Sequence, residues 1–253
     1  MNEQTNPQFS DILSLLNNLP KMPEGSAFES QNKDTIAYLS KWLSHHSKIY
    51  DFSKGFNVNR CALYWAGYDG TDGFDGKAFV ESCQDGKGAM RSLASILDTD
   101  LQIFELDPYN HGQKTSVEIA LAASYGMMAI EEPTQLFCVT SFGQGVGSHA
   151  EQALETLKNT DAFDLEDFMI NNCGLDHAAL LGNAIAAIMK GIPMVIEGVQ
   201  GSLIQLMLFK QTGQNFGNIL LTDNLDLSLG KHLPGKNALL SAIMLKTCLI
   251  AMR

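Results

Sequence analysis

Basic residues are scarce in this chain: 17 Lys and Arg stand against 28 Asp and Glu, a formal net charge of −11 over 253 residues. Such a field repels phosphate backbones and anionic lipid, so neither nucleic acid nor a membrane is expected as a partner. A phosphorylated small molecule would have to be held by local backbone N–H groups or a few placed cations. Long apolar runs are lacking as well. None approaches the roughly eighteen residues that mark a spanning helix, and the opening MNEQTNPQFS has no basic start followed by an apolar core. The expected compartment is the cytoplasm. The five cysteines, Cys61, Cys83, Cys138, Cys173 and Cys248, are dispersed and form no C-x-x-C pair or Cys/His cluster. Reduced, buried thiols follow, with no metal and no cofactor expected. Internal repeats, a Walker loop, a dinucleotide fingerprint with its acidic partner and a Ser/His/Asp triad are also missing.

What is present is apolar patterning at two periods. An apolar content of 45% allows a full core, and the length fits one unit over residues 1–253. Helical spacing occurs at Phe9–Asn18, Lys33–Ser47, Gly88–Leu97, Ser116–Met128, His149–Lys158, Asp176–Met189, Leu203–Phe209 and Lys236–Met252. Runs of strand length and composition begin at Cys61, Leu101, Gln135, Ile192 and Asn218. Strands separated by helices require crossover connections. The expected fold class is therefore α/β, a largely parallel sheet with helices on both faces, plus N-terminal helices. Residues 1–48 precede the first strand and could form a small helical lobe or a dimerisation arm. In such sheets ligands bind beyond the carboxyl ends of the strands, here the loops after Ala66, Leu106, Thr140, Ile196 and Thr222.

The strongest local pattern is Ser141-Phe-Gly143-Gln-Gly145-Val-Gly147-Ser148-His149-Ala-Glu151, which follows a strand and opens a helix. Alternating glycines permit positive φ and let the N–H groups of Gly145, Gly147 and Ser148 approach an anion at the helix N-terminus. His149 could add a cation. The same residues also fit a plain tight turn, with Ser148 as N-cap and Glu151 as its capping-box partner. A second glycine-rich loop, Gly67-Tyr68-Asp69-Gly70-Thr-Asp72-Gly73-Phe-Asp75-Gly76, carries three aspartates that suit either a turn or a hard cation. Glu197 closes an apolar strand where a ligand-facing loop should begin, so it is either a functional carboxylate or a helix-capping acid. The small residues of Asp176–Met189 allow close approach to a sheet or a partner.

Taken in order, these segments resemble the nicotinate-nucleotide:dimethylbenzimidazole phosphoribosyltransferase (CobT-like) family, which acts in assembly of the cobalamin lower loop. Pro23-Glu-Gly25-Ser26 is similar to the family's P-x-G-S, and Ala66-Gly67-Tyr68-Asp69-Gly70 to its A-G-D-H-G, with Tyr68 and Asp69 in place of Asp and His. Gly145-Val-Gly147-Ser148-His149 is similar to its G-I-G-N-T phosphate loop, Pro193-Met-Val-Ile-Glu197-Gly198 to its P-V-V-V-D-G, and Leu229-Gly230-Lys231 to its L-G-E. The resemblance implies a nucleotide phosphate held by Gly145, Gly147, Ser148 and His149. It makes Gly67, Asp69 and Asp176 further ligand-binding candidates, an aromatic base the second ligand, and a homodimer joined through Asp176–Met189 and the N-terminal helices the assembly. It also implies impaired catalysis. Lys231 occupies the position of the family's general base, Gln144 that of a second glutamate, and the segment between Gly198 and Leu229 is short. A cation accepts a proton only if burial drives its pKa far down, leaving a neutral Lys231, Glu197 or His232 as replacements.

Overall fold

A computed structural model of the chain describes residues 6–21, 34–46, 59–69, 74–86, 88–222 and 234–251. Its elements run α1 (Phe9–Asn17), α2 (Thr35–His46), β1 (Asn59–Trp65), α3 (Gly76–Gln84), α4 (Ala89–Ile96), β2 (Thr99–Glu105), α5 (Ser116–Ala129), β3 (Leu136–Phe142), α6 (Val146–Lys158), α7 (Leu165–Asn172), α8 (Leu175–Lys190), β4 (Met194–Ile196), α9 (Val199–Thr212), β5 (Ile219–Leu221) and α10 (Lys236–Ala251). The five strands form one parallel sheet in the order β2-β1-β3-β4-β5. Each strand expected from the apolar runs is found.

The sheet is covered on both faces, and strand alternation divides its side chains between two cores. Ala62, Tyr64, Phe137, Val139, Met194 and Ile196 point into a core built with α1 and α5 to α9. Cys61, Leu63, Trp65, Leu136, Cys138 and Val195 point the other way, under α2, α4 and α10. A one-residue slip of β1 or β3 would exchange these sets, so packing fixes their register, in which Cys61 lies opposite Cys138. All five cysteines are buried and free. The two N-terminal helices join different faces: α1 contributes Phe9, Ile12 and Leu16 to the first core, and α2 contributes Tyr38, Leu39, Trp42 and Leu43 to the second.

The small residues of α8 serve a contact within the chain. Residues 176–188 are buried throughout, and α8 packs along α5, where Asn183 Nδ2 donates to Gly126 O at 2.6 Å. The face expected to meet a second copy is therefore already covered by α5, because Gly and Ala at the crossing let the two backbones close on each other. Two short helices, α3 and α7, were not expected from periodicity. Each starts at an aspartate whose side chain accepts from a first-turn N–H, Asp75 from Ala78 and Asp164 from Asp167, both at 2.9 Å. Asp75 of the aspartate-rich loop is thus a helix cap.

Candidate functional site

The strand order reverses between β1 and β3. The chain leaves β1 towards β2 on one side and leaves β3 towards β4 on the other, so the two loops diverge and open a crevice at the carboxyl ends. They stay joined at their base, where Ala66 N donates to Phe142 O and Tyr68 N to Gln144 O, each at 2.9 Å. Gly143 makes that junction possible: its φ is +136°, and a Cβ would lie 1.7 Å from Ala66 O. Gly67 is excluded from bearing a side chain by Pro108 O, 2.0 Å from its ideal Cβ, so the loops after β1 and β2 also touch.

Helix α6 begins at Val146, three residues earlier than the apolar spacing indicates. Its N-cap is Gly145, in the left-handed region at φ +69°, with no side-chain cap bond. The Ser148–Glu151 capping box does not form, since Ser148 already sits in the first turn. Gly147 is also in that turn with ordinary helical φ, and nothing lies within 4 Å of its ideal Cβ. The expectation of positive φ therefore holds at Gly143 and Gly145 and fails at Gly147. The first intrahelical bond is His149 N to Gly145 O at 2.9 Å, so the N–H groups of Val146, Gly147 and Ser148 precede the ladder.

Beside this turn lies a buried polar cluster that sequence reasoning did not assemble. Tyr68 stacks on His149 with centroids 3.8 Å apart and planes 11° apart. Its phenol donates to Asp176 Oδ1 and lies 3.5 Å from His177 Nδ1. Asp176 and His177 are both fully buried at the start of α8. Gly174 N donates to His177 Nδ1 at 3.2 Å, and a Cβ on Gly174 would sit 1.9 Å from the Tyr68 hydroxyl. Burial, then the Asp176 carboxylate, holds the Tyr68 phenol well above its ordinary pKa, so it stays protonated and donates. Burial and then His177 pull His149 down to about 4, outweighing the attraction of Asp176. His149 is therefore neutral near pH 7, and the cation expected there is not supplied.

A cleft of about 490 Å³ opens against this cluster, lined by Tyr68, Asp69, Asn110, Gly112, Gln113, Lys114, His149, Gln152, Ile170, Asn171, Cys173 and Gly174. Lys114 is its cation. The ammonium pairs with Asp107, which also accepts from His111 N at 3.0 Å, and Lys114 borders a second hollow of about 390 Å³ with Glu105 and Glu118. Burial alone would raise the Asp107 carboxyl, but the bonds from Lys114 and His111 outweigh it and hold it below its usual value. Burial and then Asp176 push the Cys173 thiol well up, so that wall of the cleft carries no thiolate.

Of the residues singled out in the sequence, Asp69 and His149 line the cleft, and Asp176 reaches it through Tyr68. Gly145, Gly147 and Ser148 form the start of α6, and Gly67 shapes the loop before Tyr68. Glu197 lies elsewhere. Nearly buried at the end of β4, it accepts from Ala238 N at 3.0 Å with Oε2 and so caps α10 across the chain. Lys231 and His232, with Pro23–Ser26, Gly70, Asp72, Gly73, Leu229 and Gly230, fall outside the described residues. Lys114, Cys173, His177 and Gln152 were missed. Lys114 does stand in the loop after β2, one of the five that the fold class marks for inspection, whereas His177 carried no local signal.

No family model and no curated protein matches the sequence. Solved structures do. The crystal structure of CobT from Thermus thermophilus aligns with a TM-score of 0.67 at 10% identity, covering 95% of this chain and 94% of that one. The nicotinate-nucleotide-dimethylbenzimidazole phosphoribosyltransferase structure from the same organism aligns with a TM-score of 0.63 at 14% identity, again over 95% and 94%. At these identities the likeness establishes a shared fold along nearly the whole chain.

Proposed function

We propose that this chain is a divergent phosphoribosyltransferase-like protein that binds a nucleotide through its phosphate, together with an aromatic base, in the Tyr68–His149 cleft, with ribose-phosphate transfer impaired. The carrying observation is the crevice at the β1/β3 reversal, where Lys114 and the stacked Tyr68–His149 pair line one cleft and His149 directly follows the glycine-capped first turn of α6. The phosphate docks between Lys114 and the first-turn N–H groups of α6, which supply locally the attraction that the net charge of −11 opposes. An aromatic base takes the less polar wall near Ile170 and Cys173.

The reading of impaired transfer rests on the carboxylates. Lys231 stands where the resemblance puts the general base, and Glu197 is engaged with the N-terminus of α10. Loss of a general base typically costs about a hundredfold to ten-thousandfold in rate, while a phosphate cradle can persist. Calorimetric titration with nicotinate mononucleotide, paired with an assay of nicotinate release in the presence of dimethylbenzimidazole, tests both halves. Binding without release is the expected result. Release at a normal enzymatic rate would make the chain an active transferase, and no binding at low ionic strength would remove the nucleotide reading.

The same reading includes a homodimer, whose contact would have to lie outside the buried residues 176–188 of α8, and light scattering at the mass of one chain across a wide concentration range would count against it.

A further inference from the structure

The lining of the Tyr68–His149 cleft is poor in charge and rich in carboxamides. Asn110 and Gln113 line it from the loop after β2, Gln152 from α6 and Asn171 from the end of α7. Among the described residues of the lining, Lys114 is the one Lys or Arg side chain and Asp69 the one carboxylate. Lys114 is already committed. Its ammonium pairs with Asp107, and Glu105 and Glu118 line the second hollow beside it. A ligand phosphate drawn to the same ammonium leaves no second lysine or arginine in that lining for a second anionic group.

Two of these residues also set the sense of the hydrogen bonds on offer. Asn171 Nδ2 donates to both Asp167 O and Asp167 Oδ1, at 2.9 Å each. Both partners are acceptors, so the orientation of the amide is forced, and with its two hydrogens spent the side chain offers a ligand only Oδ1. Asp69 is exposed and carries acceptor oxygens alone. The NH2 of a ligand amide satisfies either oxygen. A ligand carboxylate, which can only accept, is repelled by both, in a chain whose net charge is −11.

We propose that the cleft selects a mononucleotide whose ring bears a neutral amide over one whose ring bears a carboxylate, with Asp69 and the Asn171 oxygen as the specificity-determining acceptors. The proposal rests on the cleft being the nucleotide site argued above, and it names which nucleotide that site takes. The phosphate is the ligand's single anionic group, held by Lys114 or the α6 N–H groups, and the amide hydrogens face Asp69 or Asn171.

Calorimetry on the full chain compares nicotinamide mononucleotide with nicotinate mononucleotide, which differ only in that group. Salt at about 0.15 M screens exposed carboxylates beyond about 8 Å, so the comparison reads the cleft rather than the whole surface. The amide should bind about tenfold more tightly, comparable to one hydrogen bond to a charged acceptor. Variants that each raise the net charge by one then separate the lining from the overall field. Asp69→Asn should remove most of the preference. Gln152→Lys, which adds a cation to the lining at an exposed position of α6, should reverse it in favour of the carboxylate. Glu81→Gln, exposed on α3 and outside the lining, should leave it unchanged. Equal binding by the wild type, or tighter binding of nicotinate mononucleotide, overturns the proposal and leaves the cleft as a nucleotide site. A full preference in folded Asp69→Asn, or an equal loss in Glu81→Gln, overturns it too, since overall charge or shape then sets the choice. Should Asp69→Asn lose its far-UV circular dichroism, Gln152→Lys decides, and a preference it fails to reverse overturns the proposal. If neither nucleotide binds, the cleft reading and this inference fall together.

Discussion

The Tyr68 hydroxyl donates to Oδ1 of Asp176 across 108 residues of sequence, tying the loop after β1 to the first turn of α8. Asp176 is fully buried, and the start of a helix is where its charge is best tolerated. Tyr68→Phe keeps the stack on His149 but removes the carboxylate's donor. The expected cost is about 1.5–3 kcal/mol, the range for a hydrogen bond to a charged group. Urea denaturation would measure it, and an unchanged midpoint would mean that Asp176 is satisfied without the phenol.

Glu197 supports a different element. Because its carboxylate accepts from Ala238 N at the start of α10, Glu197→Gln should weaken that cap and lower stability by about 0.5–2 kcal/mol. Affinity for nicotinate mononucleotide should not change, since Glu197 lies outside the cleft lining. A variant of normal stability that fails to bind would return Glu197 to the ligand site.

The sheet was legible because β1 and β3 are short, continuous apolar runs separated by helical spacing, a pattern that only a parallel sheet covered on both faces can bury. Helices α3 and α7 were not, being too short to repeat an apolar stripe, although Asp75 and Asp164 marked their starts. The glycines around Gly143 and Gly145 were legible as a tight strand-to-helix turn. Gly147 was misread since spacing cannot show which of three alternating glycines has left the loop for the helix. Tyr68 and Asp176 were each marked separately by the resemblance, but nothing in the sequence joined them to each other or to His177. The three are brought together by the reversal of strand order and by the close docking of α8, both products of the whole fold.

Low pH should weaken the fold through two histidines. His149 is lowered to about 4 by burial and then His177, and His46 to about 4 by burial and then His45. In the unfolded chain both titrate near 6.5. Above about 6.5 both are neutral in either state and their full contribution is present. Between about 6.5 and 4 the unfolded chain gains protons that the folded chain refuses, so stability falls as pH falls. Around His149 stand Tyr68, Asp176, His177 and Cys173, of which Asp176 opposes the shift and is outweighed. Comparing urea midpoints at about pH 7 and about pH 5, the wild type should lose more stability than His149→Phe. Equal losses would show that His149 titrates normally in the folded protein.

Gly147 and Gly143 separate a ligand role from a folding role within one turn. At Gly143 a methyl group would meet Ala66 O at 1.7 Å with φ at +136°, so Gly143→Ala should disrupt the junction of the β1 and β3 loops and destabilise the chain. At Gly147 the backbone is helical and a Cβ meets no atom within 4 Å, so Gly147→Ala carries no strain. Alanine is the better helix former by roughly 0.5–1 kcal/mol, and the variant should be as stable as the wild type or more so. Its methyl group nevertheless stands beside N–H groups that precede the first intrahelical bond, where the proposed phosphate must approach the backbone closely. The expected outcome is a stable protein whose affinity for nicotinate mononucleotide falls by about tenfold, comparable to losing one charge-assisted hydrogen bond. Titration beside a thermal melt reads both quantities on one sample. Full affinity in the stable variant would place the phosphate away from α6, with Lys114 as its remaining anchor, and Lys114→Ala should then abolish binding where Gly147→Ala does not.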